Sequence, residues 1–167
     1  MTNIASACAI TAILATLAGC SSYRTIPERP RYVPPEGAPT ASLKSDIWGA
    51  LNHNESIKVF ATEGSCGGSA SRQLFSIHQS KSNPDGYIKV AAGQPLTIDY
   101  VEEASGRRTC NISLVVNLEP GKSYSLAGGF HYESGAIPIL SGTRMCQLGV
   151  RDDADKRLVP SKRACSK

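Results

Sequence analysis

Five clusters of turn-forming residues cut this 167-residue chain into short segments: NPDGY at 83–87, AAGQP at 91–95, EASGRR at 103–108, EPGKS at 119–123 and DDADKR at 152–157. Each cluster offers Gly, Pro, Asn or Asp, which preset or tolerate the backbone angles a turn needs. No amphipathic run between them is long enough for a substantial helix. The segments instead alternate apolar and polar residues, as half-buried strands do. Strands are expected at 56–61 (SIKVFA), 72–78 (RQLFSIH), 87–90, 96–102 (LTIDYVE), 109–118 (TCNISLVVNL), 123–132, 144–150 and 157–160. Short strands at spacings near ten residues imply an all-β fold, a small antiparallel β-sandwich or partly open barrel of about seven or eight strands. Residues 43–51 are read as a helical turn or two with Trp48 packed down. Trp48 is the single tryptophan and only 6% of residues are aromatic, which argues against a carbohydrate platform built from several stacked rings.

Two nine-residue stretches share a pattern. VAAGQPLTI (90–98) and LEPGKSYSL (118–126) both read apolar, two residues, glycine, two residues, apolar, one residue, apolar. The glycine supplies the turn residue and the alternation after it starts a half-buried strand. The unit resembles the turn-and-strand element of PEGA-like and immunoglobulin-like β-sandwich modules of envelope proteins, and the resemblance implies a sandwich.

The first 19 residues carry no charged side chain, and residues 4–18 form a nearly unbroken run of apolar and small residues. That run is shorter than the roughly 20 apolar residues a spanning helix requires, and it fits the apolar region of a secretory signal followed by small residues at a cleavage point. Leu17, Ala18, Gly19 and Cys20 resemble the lipobox of bacterial lipoproteins. The resemblance implies cleavage before Cys20, acylation of its thiol, and attachment by lipid with no second anchor. Ser21 stands where that class carries aspartate when the product stays in the inner membrane, so the address implied is the outer membrane, facing the periplasm. The organisation expected is a signal peptide at 1–19, a lipidated Pro-rich extended linker at 20–42, and a β-sandwich domain at 43–167. The linker holds five of the ten prolines. In the polyproline conformation it would reach roughly 60 to 70 Å.

Cys8 leaves with the signal and Cys20 takes the lipid, so Cys66, Cys110, Cys146 and Cys165 remain, an even number for an oxidising compartment. The midpoint of the segment from Cys146 to Cys165 falls inside the DDADKR turn cluster, so a hairpin folded there sets Cys146 opposite Cys165. The expected bridges are Cys146 with Cys165 and Cys66 with Cys110. The spacings lack C-x-x-C pairs, so neither a metal nor another cofactor is expected.

GSCGGSA at 64–70 places Ser65, Cys66 and Ser69 in a glycine-flanked loop, but no strand-to-helix elbow follows and His53, His78 and His131 show no partner spacing. The chain is therefore not expected to be an enzyme, and a hydrolase using the Ser65 to Ser69 loop is the remote alternative. An inhibitor of lysozyme or another hydrolase is a second alternative. Anchored inhibitors of that kind resemble one another in a Ser-Gly-x-x-Tyr loop, and the nearest matches here, at Ser134-Gly135 and Ser141-Gly142, lack the tyrosine.

Charge supplies the remaining functional hint. From Arg144 onward seven basic residues face three acids, a local balance that equals the +4 of the entire chain. Arg144, Arg151, Lys156, Arg157, Lys162 and Arg163 form the candidate anion-binding patch, able to attract anionic lipid headgroups or glycans by long-range steering. No nucleic-acid recognition motif accompanies it. The expectation is a non-catalytic, membrane-anchored envelope lipoprotein that binds or scaffolds another envelope component, a protein or an anionic surface.

Overall fold

The computed structural model describes residues 28–47, 55–64, 70–78, 86–104, 107–134 and 142–164. Among these there is no helix. Nine strands form two sheets that do not close into a barrel: β1 (Thr40–Ile47), β2 (Glu55–Glu63), β3 (Arg72–His78), β4 (Ile88–Ala91), β5 (Pro95–Ala104), β6 (Arg107–Asn117), β7 (Ser123–Ser134), β8 (Gly142–Asp152) and β9 (Ser161–Arg163). One sheet runs β4-β1-β7-β8 and the other β3-β2-β5-β6-β9. The architecture is a β-sandwich. Every pairing between named strands is antiparallel except β1 with β7, which is parallel.

The period-two patterns explain which face each strand buries. In β5, Leu96, Ile98, Tyr100 and Glu102 alternate inward and are fully buried; Ile57, Val59 and Ala61 of β2 and Leu114 and Val116 of β6 line the same side of the core. Leu43, Tyr124, Leu126 and Val150 of the facing sheet complete it. Glu102 is the one carboxylate in this interior row, and the Tyr100 hydroxyl donates to its Oε2 at 2.7 Å. On the opposite face of the five-stranded sheet, Phe60 and Val101 make a small separate cluster.

The shared nine-residue pattern marks the places where the chain changes sheets. The first copy leads from β4 to β5 and the second from β6 to β7, in opposite directions between the two layers. Gly93 and Gly121 occupy equivalent places with φ of 75° and 79°, and all six apolar positions of the two copies are buried. The copies also touch, because the Gly93 N–H donates to the Leu118 carbonyl at 2.8 Å.

Two expectations change at the amino end. Residues 43–47 belong to β1 rather than to a helical turn, because Ala41, Leu43, Ser45 and Ile47 all point inward with a period of two. Trp48 and the rest of that reading lie outside the described residues. The linker boundary expected at 43 falls within β1, and the Pro-rich run ahead of it is laced to the sandwich. Gln73 of β3 donates its N–H to the Pro30 carbonyl (2.9 Å) and accepts the Tyr32 N–H (2.8 Å), a parallel bridge that adds one residue of strand to the β3 edge. The Tyr32 hydroxyl accepts the Ala91 N–H of β4 at 3.2 Å and reaches Glu63 Oε1 at the end of β2 at 3.4 Å, so one side chain ties the two sheets together. Burial pushes the Tyr32 phenol up, and nearby Glu63 adds to the rise against the lowering effect of the Ala91 hydrogen bond.

The bridge in the described region joins Cys110 of β6 to Cys146 of β8, with Cα atoms 5.7 Å apart, and fastens one sheet to the other. This pair differs from the expected Cys146 with Cys165 and Cys66 with Cys110; Cys66 and Cys165 lie outside the described residues. The hairpin does turn inside DDADKR, with Lys156 at φ 63°, the Asp152 N–H donating to the Arg157 carbonyl at 2.9 Å and the Val159 N–H to the Val150 carbonyl at 2.8 Å. It does not continue toward Cys146. After Pro160 the chain crosses to the other sheet to become β9 beside β6.

Candidate functional site

Five of the six residues of the expected basic patch divide between two places. Arg151 lies on β8, and Lys156 and Arg157 belong to the hairpin that follows. All three meet aspartates: Arg151 Nη2 is 2.7 Å from Asp46 Oδ2, Lys156 Nζ is 4.0 Å from Asp153 Oδ1, and Arg157 Nε is 3.8 Å from Asp155 Oδ2. Lys122 beside them is bonded to Glu119, which is the main reason its ammonium is held above the ordinary lysine value, and to Asp152. This end of the molecule is a charge-balanced network. Arg144 pairs through its backbone with Tyr132.

Asp153 organises that network. Burial alone would raise its carboxyl, but hydrogen bonds from the Ser125 and Tyr87 hydroxyls and the charges of Lys44 and Lys156 outweigh burial, and its pKa falls below the ordinary 3.8. A carboxyl depressed in the folded state stabilises the fold at pH values above its unfolded pKa, and that contribution is lost as the pH falls through the lower folded value. Asp153→Asn is therefore expected to lower the melting temperature at neutral pH and to flatten its decline below the ordinary carboxyl value. An unchanged acid limb in the variant would contradict this.

Lys162 and Arg163 are placed differently. They lie on β9, which closes one edge of the five-stranded sheet, with Ser161, Lys162 and Arg163 opposite Val116, Val115 and Leu114. Directly paired residues on neighbouring strands share a face. Leu114 and Val116 point into the core, so Arg163 and Ser161 lie on the inner side of the edge and Lys162 on the outer. All three are exposed. A groove of about 320 Å³ runs between this edge and β8, lined by Ile112, Ser113, Gln147, Leu148, Lys162 and Arg163 among others. A second, of about 390 Å³, lies beside Pro95, Asn117, Pro160, Ser161 and Lys162. Among the described residues no acidic side chain lines either groove. Two cations thus straddle an open edge, with the hydroxyl of Ser161 and the amides of Asn117 and Gln147 as neutral hydrogen-bonding groups beside them. That combination suits carboxylate or phosphate groups carried on an extended ligand.

The grooves' polar members from β6 and β8, Asn117 and Gln147, carried no signal in the sequence, because nothing in the linear order sets them beside Lys162. Among the described residues no cluster of three histidines, cysteines or acids is placed to hold a metal ion. The Ser65 to Ser69 loop lies outside the described residues, as do the loop residues that would complete the Ser134 and Ser141 motifs. No protein-family model matches the chain, and comparison with curated proteins finds no match.

Proposed function

We propose that the protein is a lipid-anchored, non-catalytic component of the bacterial envelope that binds an anionic partner through the β9 edge. The lipobox-like Leu17-Ala18-Gly19-Cys20 supports acylation at Cys20, and Ser21 supports an outer-membrane address facing the periplasm. The observation that carries the binding site is the contrast within the basic patch. Arg151, Lys156 and Arg157 are matched by aspartates, whereas the grooves holding Lys162 and Arg163 have no acidic lining among the described residues.

The experiment is a binding titration of the mature protein against immobilised polyglutamate and polyphosphate, with neutral dextran as control. Binding to both polyanions that weakens as salt rises is expected, because exposed charges are screened over about 10 Å at 0.1 M salt. Lys162→Glu with Arg163→Glu is expected to weaken it roughly tenfold or more, a loss near 1.4 kcal/mol for each factor of ten. The same reversal at Lys156 and Arg157 should cost distinctly less, since those cations already face carboxylates. Equal losses from the two double variants would contradict the assignment.

A further inference from the structure

Where the tether ends on the sandwich determines which edge faces the membrane. The amino-terminal strap docks from Arg29 onward: the Arg29 guanidinium lies 5.1 Å from the centre of the Phe60 ring on the outer face of β2, and Pro30 and Tyr32 are bonded to Gln73 on β3. Residues 29–39 therefore belong to the folded part. Nine residue steps separate Cys20 from Arg29. At roughly 3.3 Å per residue these reach at most about 30 Å, about half the span of a linker running to residue 42.

The strap joins the five-stranded sheet at β3, and the Lys162 and Arg163 pair sits on β9 at the opposite edge. Four inter-strand spacings of about 4.8 Å put these edges about 19 Å apart. Bringing the β9 edge to the bilayer would lift the attached edge by that distance and stretch the tether over most of its reach. We infer that the domain hangs from the membrane by its β3 edge, so that the basic β9 edge is turned away from the anchoring bilayer and takes an anionic polymer, bearing carboxylate or phosphate groups, that approaches from the far side. This rests on the acylation of Cys20 proposed above.

The test uses the full acylated protein in nanodiscs of phosphatidylethanolamine and phosphatidylglycerol carrying a gadolinium chelate on a headgroup, with amide signals read by NMR. Signals of Tyr32, Gln73 and Phe75 are expected to broaden beyond detection while those of Ser161, Lys162 and Arg163 survive. Added polyglutamate should then shift the β9 amides, and a larger share of phosphatidylglycerol should not. A Gly/Ser insertion after Ser22 that doubles the tether should restore the β3-edge signals without altering the fold. Broadening at β9 equal to that at β3, or β9 shifts driven by phosphatidylglycerol in place of polyglutamate, overturns the inference and leaves the anchoring intact. Absence of broadening at every amide, with no co-sedimentation of protein and lipid, overturns the anchoring itself.

Discussion

Gly128→Ala should remove a large share of the protein's folding stability. Gly128 sits mid-sheet on β7, paired with Ile47 on one side and Leu148 on the other. Its φ is +140°, and a Cβ built there would lie 2.2 Å from the Gln147 carbonyl oxygen and 2.8 Å from the Leu148 Cα. Both obstacles are backbone of the neighbouring strand, so relief requires prising β7 from β8. A small domain has roughly 5 to 15 kcal/mol of stability in total. Combining an unfavourable φ with a clash that no side-chain rotation removes is expected to cost on the order of 3 to 5 kcal/mol. Gly121→Ala is the control. Its φ of +79° is also positive, but its Cβ meets nothing within 4 Å, so only the backbone term applies, at about 1 kcal/mol. Urea denaturation of both variants measures the difference; similar midpoints would contradict the close packing of β7 on β8.

Breaking the Cys110 to Cys146 bridge should rank next. The cysteines are 36 residues apart in sequence. In the chain-entropy model a loop of that size contributes about 4 kcal/mol by restricting the unfolded chain. Cys146→Ser is expected to lower the melting temperature by about 10 to 20 °C, given a few degrees per kcal/mol for a domain of this size. Strong reductant should produce a comparable drop in the wild-type protein. Peptide mapping after acid quenching, without reduction, should recover the 110–146 linkage. Recovery of 146–165 together with 66–110, or a Cys146→Ser variant as stable as wild type, would contradict the bridge between the sheets.

Much of the fold was readable because strand and turn chemistry are local. LTIDYVE alternates from Leu96 to Tyr100 and forms the inward row of β5, although Val101 and Glu102 reverse the pattern at its end. The glycine pattern repeated at Gly93 and Gly121 turned out to be the chain's way of crossing between sheets. What escaped depended on distant partners. In β1 the inward positions include Ala41 and Ser45, whose small side chains give a weak alternation, and the strand is held mainly by its parallel pairing with β7, far along the chain. Tyr32 is legible only once Glu63, Gln73 and Ala91 converge on it. The hairpin after β8 turns where expected, but its departure at Pro160 carries β9 to the other sheet, which altered both the bridge and the basic patch. A run of cations that looks continuous in sequence is divided by that departure: aspartates meet Arg151, Lys156 and Arg157 on one side of it, and Lys162 and Arg163 on the far side occupy an edge.

The proposed acylation of Cys20 would set the compartment, the oxidised cysteines and the direction in which the β9 edge points. The most direct measurement is intact mass and amino-terminal peptide analysis of the mature protein from cells fed an alkyne-labelled fatty acid. The expected result is a chain beginning at Cys20, carrying the label, with neither cleavage at that position nor labelling in Cys20→Ala. An unlabelled chain that begins at another residue, or one that retains residues 1–19, would contradict it.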